Sequence, residues 1–143
     1  KLGKRSSVRL GNLDSVRDWG YAEDYVEAMR LINEAPGNDD FIVATNTSYT
    51  IRDLVKISGQ HFGFDIRFEG EGLDEVGIDQ KSGNCIIVID PMYFRPADVT
   101  YLQGDYSKIN KELGWRPTTS FESMIDKMCK ADISRAASDK FIF

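Results

Sequence analysis

One histidine, His61, and two cysteines, Cys85 and Cys129, are the only imidazole and thiol groups in 143 residues. The cysteines form no Cys-x-x-Cys pair, and no metal-ligand spacing surrounds His61. This pattern argues against a metal centre, a disulfide framework, and Ser/His/Asp or Cys/His nucleophilic catalysis. Two reduced thiols, buried or half-buried, are the expectation, as in a cytoplasmic protein. The longest apolar run is Cys85-Ile86-Ile87-Val88-Ile89, far short of the ~20 residues that cross a bilayer. The N-terminus is basic, but no apolar stretch follows it, so no secretory signal is read.

The 12 glycines never fall into the strand, G-x-G-x-x-G, helix pattern that cradles a dinucleotide. Nor does any of the 6 tyrosines have a lysine four residues on, one helical turn away, to lower its pKa. These absences remove a cofactor loop and tyrosine-based dehydrogenase chemistry from the sequence in hand. Acidic side chains outnumber basic ones, 23 to 18. The basic excess is confined to the first nine residues, where Lys1, Lys4, Arg5 and Arg9 occur without an acid. A nucleic-acid binder needs a broader basic face than that.

What remains is an ordinary globular balance, 41% hydrophobic and 29% charged, long enough for one domain with a core. Strands are expected near residues 6–10, 17–19, 41–44, 65–68 and 85–89. Helices are expected near 22–33, from Thr50 to about Phe62, from Asp105 to Leu113, and after Thr119. Thr50 with Asp53, and Thr119 with Glu122, read as capping boxes. Tyr25, Val26, Met29 and Ile32 read as the buried face of the first helix, and residues 70–80 as a glycine-bearing acidic loop. Alternating strands and helices predict an α/β or α+β fold.

Two arginines stand out. Arg17 lies in Val16-Arg17-Asp18-Trp19, and Arg95 lies between Pro91 and Pro96 beside Tyr93 and Phe94. A guanidinium on a turn-bounded, aromatic-rich stretch suits a two-pronged grip on phosphate. Two of them in an acidic chain suggest a diphosphate-containing ligand. The plainer alternatives are internal pairs, Arg17 with Asp18 and Arg95 with Asp98. Leu10-Gly11-Asn12, a strand ending in glycine, could let a flat base approach the backbone, or could be a simple strand-to-turn junction.

The run LGNLDSVRDWGYAEDYVEAM (10–29) resembles the GDP-mannose 4,6-dehydratases. So do DFIVAT (40–45), SYTIRDLV (48–55), GFDIRFEGEGLDEVGID (63–79) and IDPMYFRPADV (89–99), in the same order. LQGDYSKINKELGWRPTTSFESMIDKM (102–128) is similar to the closing stretch of extended short-chain dehydrogenases/reductases more broadly.

The resemblance implies a single substrate-binding region over residues 1–143, a small α/β lobe without the complete Rossmann domain. It implies Arg17 and Arg95 on the diphosphate and Asp98 on the ribose. Leu10, Gly11 and Asn12 would line the nucleotide site. Asp98 stands where the family usually has glutamate. The family converts GDP-mannose to GDP-4-keto-6-deoxymannose with tightly bound NADP, as a homo-oligomer. The catalytic group and the NADP loop have no counterpart here, so no catalytic, cofactor or metal residue is expected in this chain. Another sugar-nucleotide dehydratase or epimerase, or a non-enzymatic interaction module, is the alternative.

Overall fold

A computed structural model describes residues 6–95 and 99–137. The main sheet has four strands in the order β1 (Val8–Leu10), β6 (Cys85–Ile89), β5 (Val76–Asp79), β4 (Ile66–Glu69). β1 runs parallel to β6, and the other pairs are antiparallel. A separate antiparallel ribbon joins β2 (Val16–Asp18) to β3 (Ser48–Thr50). Among the described residues four helices complete the mixed α/β architecture: α1 (Ala22–Glu34), α2 (Ile51–His61), α3 (Ser107–Leu113) and α4 (Phe121–Ala137).

The α2 start follows its sequence signature. The Thr50 hydroxyl accepts from the Asp53 N–H at 3.0 Å, and the Asp53 carboxylate accepts from the Thr50 N–H at 2.9 Å. Two orphan donors of the first turn are thereby satisfied. α2 and its C-cap Phe62 then pack Leu54, Ile57 and the Phe62 ring against the buried Phe121, Met124, Ile125 and Cys129 of α4, with Tyr49 stacked on Phe121 at 4.0 Å. Val55, on another side of α2, joins Ile66 and Ile87 over the sheet.

Five expectations need correction. Residues 70–80 are not a loop: they hold a 3₁₀ turn (Gly72–Asp74) and the inner strand β5. Gly77 is there because a Cβ would lie 2.8 Å from the Cβ of Ile87, so only glycine fits between the strands. The acids that made this stretch look solvent-exposed, Glu75 and Asp79, are buried with partners.

The buried face of α1 centres on Ala28, which meets Ile109 and Trp115, flanked by Tyr25, Leu31 and Ile32. Val26 and Met29 face outward, 63% and 64% exposed. Hydropathy ranks methionine above alanine. Here the two large residues Trp115 and Ile109 fill the space, and they require a small partner.

Residues 41–44 make no strand ladder. Among the described residues, no backbone hydrogen bond reaches them. The cap of α4 is Ser120, whose hydroxyl accepts from the Ser123 N–H at 3.2 Å. Thr119 is engaged elsewhere, its N–H donating to Asp24 at 2.9 Å. Finally, Cys129 is buried as expected but Cys85 is exposed; both are free thiols.

Candidate functional site

The parallel pairing of β1 with β6 delivers two of the singled-out segments to one sheet end. Leu10 is opposite Ile89, and the Asp90 N–H extends the pairing by donating to the Leu10 carbonyl at 2.8 Å. The chain then turns tightly. Tyr93 and Phe94 N–H groups donate to the Asp90 carbonyl at 2.9 and 3.1 Å, and the Met92 N–H donates to the Asp90 carboxylate at 2.9 Å. The Asp90 carboxylate also accepts from Arg9 at 3.2 Å. This turn sits directly on Gly11, where a Cβ would overlap the Tyr93 carbonyl. Glycine at position 11 is therefore demanded by close approach. Arg95 follows immediately and is exposed.

Residues 12–15 connect this end of the sheet to Arg17, and they are pinned. The Asn12 amide oxygen accepts from the Asp14 N–H at 2.9 Å, a local turn. Leu13 and Ser15 are buried. Their carbonyls accept from the first turn of α2: Arg52 N–H to Leu13 at 3.0 Å and Ile51 N–H to Ser15 at 3.1 Å. The Arg52 side chain adds a second tie. It bonds the buried Glu75, reaches Asp14 at 2.6 Å, and lies over the Phe68 ring at 4.7 Å. The Glu75 carboxylate beside Arg52 holds its guanidinium above its usual range, against the opposing effect of burial.

β2 is flanked on its far side by residues 99–102. Val16 N–H donates to Thr100 at 2.8 Å, and Leu102 N–H donates to Val16 at 3.1 Å. The Arg17 guanidinium Nη1 donates to the carbonyls of Val16 at 2.8 Å and Val99 at 2.7 Å. It thus reaches the segment that follows Arg95 by four positions. Asp98, expected on the ribose, lies outside the described residues.

The Arg17–Asp18 pair considered from sequence does not form. Successive strand side chains point to opposite faces. Asp18 turns instead to Thr45, accepting from its N–H at 2.9 Å and its hydroxyl at 2.6 Å, and to the Gly104 N–H at 3.2 Å. Several apolar side chains stand exposed around these segments: Met92 at 80%, with Tyr93, Val99, Tyr101 and Leu102.

Sequence reasoning singled out neither Arg52 nor Val99. Val99 acts through a carbonyl, which carries no residue-type signal. Arg52 was visible only as one charge in the first turn of an amphipathic helix.

A sequence description of GDP-mannose 4,6 dehydratases matches residues 1–128. The chain belongs to that family. It is 44% identical over 124 residues to the GDP-mannose 4,6 dehydratase of Drosophila melanogaster, covering 87% of this chain and 31% of that protein. Against the Homo sapiens protein of the same name it is 39% identical over 132 residues, covering 92% and 36%. It spans about a third of the length of the curated relatives it matches.

Among solved structures it is similar to a UDP-glucose 4-epimerase of Thermotoga maritima with UDP-glucose. That match has a TM-score of 0.69 and 26% identity, and covers 91% of this chain and 36% of that one. A Bifidobacterium longum UDP-glucose 4-epimerase, in complex with NAD+ and UDP, shares the fold at a TM-score of 0.69 and 17% identity. It covers 98% of this chain and 38% of that one.

Neither described strand-to-helix junction is an open, glycine-lined phosphate turn. The β2–α1 junction has one glycine, Gly20, and its open side is filled by the Tyr25 ring. The β3–α2 junction has none, and its helix N-terminus is already occupied by the Thr50 hydroxyl and faces the Asp53 carboxylate. A pyrophosphate needs open, glycine-lined N–H groups at such a turn. Among the described residues no cluster of His, Cys, Asp and Glu could hold a metal ion. No described helix is long and apolar enough to cross a membrane.

Proposed function

We propose that this chain forms the GDP-sugar-holding side of a GDP-mannose 4,6-dehydratase, a lyase acting on GDP-mannose to give GDP-4-keto-6-deoxymannose and water. Arg17 and Arg95 grip the diphosphate, Leu10, Gly11 and Asn12 line the nucleotide, and Asp98 accepts from the ribose. The observation that carries this reading is the seating of the 90–94 turn on Gly11, which puts the Leu10–Asn12 segment beside the one bearing Arg95. Arg17 is bonded to Val99, just past Arg95 on the same stretch.

The contribution of these residues is binding and orientation. A nucleotide held at its diphosphate positions a distant sugar for chemistry, and that binding energy acts on the reacting carbons through geometry. None of this chain's tyrosines has a lysine one turn on. The 143 residues alone are therefore expected to bind nucleotide without turnover. The reading also has the full-length enzyme working with NADP, as a cytoplasmic homo-oligomer.

Calorimetry with GDP tests it. Arg17→Ala and Arg95→Ala should each weaken binding about 10-fold, the size of a lost charge-assisted bond. Equal affinity in all three proteins removes the clamp. The likeness to a UDP-glucose 4-epimerase motivates a second arm, since UDP binding tighter than GDP would move the chain to a UDP-sugar enzyme.

A further inference from the structure

We infer that Asp18 is a positioning residue for Arg17, acting through the segments it ties rather than through the ligand. The inference rests on the reading of Arg17 as a diphosphate grip. β2 is three residues long and ends on Asp18. Its last residue turns a carboxylate to the face opposite Arg17. That carboxylate gathers Thr45 N–H at 2.9 Å, Thr45 hydroxyl at 2.6 Å and Gly104 N–H at 3.2 Å.

Each partner belongs to a different segment, so the one carboxylate ties two stretches of chain to β2. Thr45 closes residues 41–44, which make no backbone hydrogen bond among the described residues. Gly104 closes the stretch 99–102 that flanks β2, and the Val99 carbonyl in that stretch accepts from Arg17. Asp18 therefore fixes one end of the strip whose other end holds the Arg17 side chain. Gly104 also lies so close to Ala44 that a Cβ would overlap the alanine methyl, which leaves little slack once Asp18 is bonded.

The chemistry needs a carboxylate. An ionised aspartate only accepts, and both Thr45 and Gly104 present donors. Asparagine at this position would put an NH₂ against one of those N–H groups. The isosteric Asp18→Asn change therefore breaks the tie without altering volume.

The experiment measures GDP and GMP affinity by calorimetry in wild type, Asp18→Asn, Arg17→Ala and the double variant. Hydrogen exchange at the Thr45 and Gly104 amides is followed in parallel. The expected result is an about 10-fold loss of GDP affinity in Asp18→Asn, a GDP-to-GMP loss ratio equal to that of Arg17→Ala, and faster exchange at both amides. Asp18→Asn should cost nothing further once Arg17 is alanine, because the two residues act in series. Thr45→Val, which removes one donor and leaves Asp18 intact, should show the same loss pattern at smaller size, and it serves if Asp18→Asn does not fold.

A GDP-to-GMP loss ratio unlike that of Arg17→Ala, or losses that multiply with those of Arg17→Ala, reduce Asp18 to a stabilising residue and overturn the inference. Wild-type protein with protected amides but no GDP affinity overturns the diphosphate reading and the inference with it. Normal GDP affinity in Asp18→Asn, with affinity lost in Arg17→Ala, overturns the inference alone.

Discussion

The Gly11 backbone lies directly against the Tyr93 carbonyl, leaving no room for a Cβ between them. This contact seats the turn before Arg95 on the end of β1. Gly11→Ala should therefore push the turn off the sheet. A cost of about 1–3 kcal/mol in unfolding free energy is expected, as for other overpacking changes. GDP affinity should fall together with it. A urea titration with calorimetry checks both, and full affinity in the alanine variant would show that the turn's seat does not matter.

Arg52 should matter more than its partial exposure suggests. Its loss leaves Glu75 buried without its cation, and removes the Asp14 tie from the 12–15 loop. Arg52→Ala is expected to destabilise by about 2 kcal/mol. Glu75→Gln in the same protein should recover part of that, since an uncharged amide is cheaper to leave buried. The bond to the mostly exposed Asp14 should contribute little, so Asp14→Ala is expected within about 0.5 kcal/mol of wild type.

Acid should weaken the fold through its bonded aspartates. The Ser82 hydroxyl and the Asp65 N–H hold Asp79 below the ordinary value of 3.8. The Thr50 hydroxyl and N–H do the same for Asp53. A carboxyl whose folded value is depressed stabilises the native state above its unfolded value, and that stability is lost as pH falls through the folded value. Urea midpoints should therefore hold steady above pH 5 and drop as pH falls below 3.8. Asp79→Asn should lower stability at neutral pH and flatten the acid-side fall. A parallel curve for the variant would contradict this.

Residues 41–44 carry apolar strand residues without ladder partners among the described residues. Their amides should exchange quickly, far ahead of β6 in the sheet interior. Slow exchange there in dilute protein would mean that another strand covers them.

Local signals explain what was legible in advance. The Thr50–Asp53 box, the Cys85–Ile89 run and the β1 ending at Gly11 act through neighbours a few residues away, and all three appear where expected. The Phe41–Ala44 run has strand chemistry, but a ladder depends on a partner that no local pattern specifies. β5 was hidden because Gly77 and the buried acids Glu75 and Asp79 look like loop residues until Ile87, Arg52 and Ser82 are placed against them. At the site, the arginines were visible as charges on turn-bounded stretches. Their anchoring was not, because Asp90, Val99 and Leu10 act largely through backbone groups.

The central claim is that Arg17 and Arg95 hold the two phosphates of one nucleotide. Phosphorus NMR of GDP titrated with the chain tests it most directly. Both phosphorus resonances should shift on binding, and Arg17→Ala and Arg95→Ala should each reduce the shift. Resonances that move identically in wild type and both variants, or that do not move at all, would contradict it.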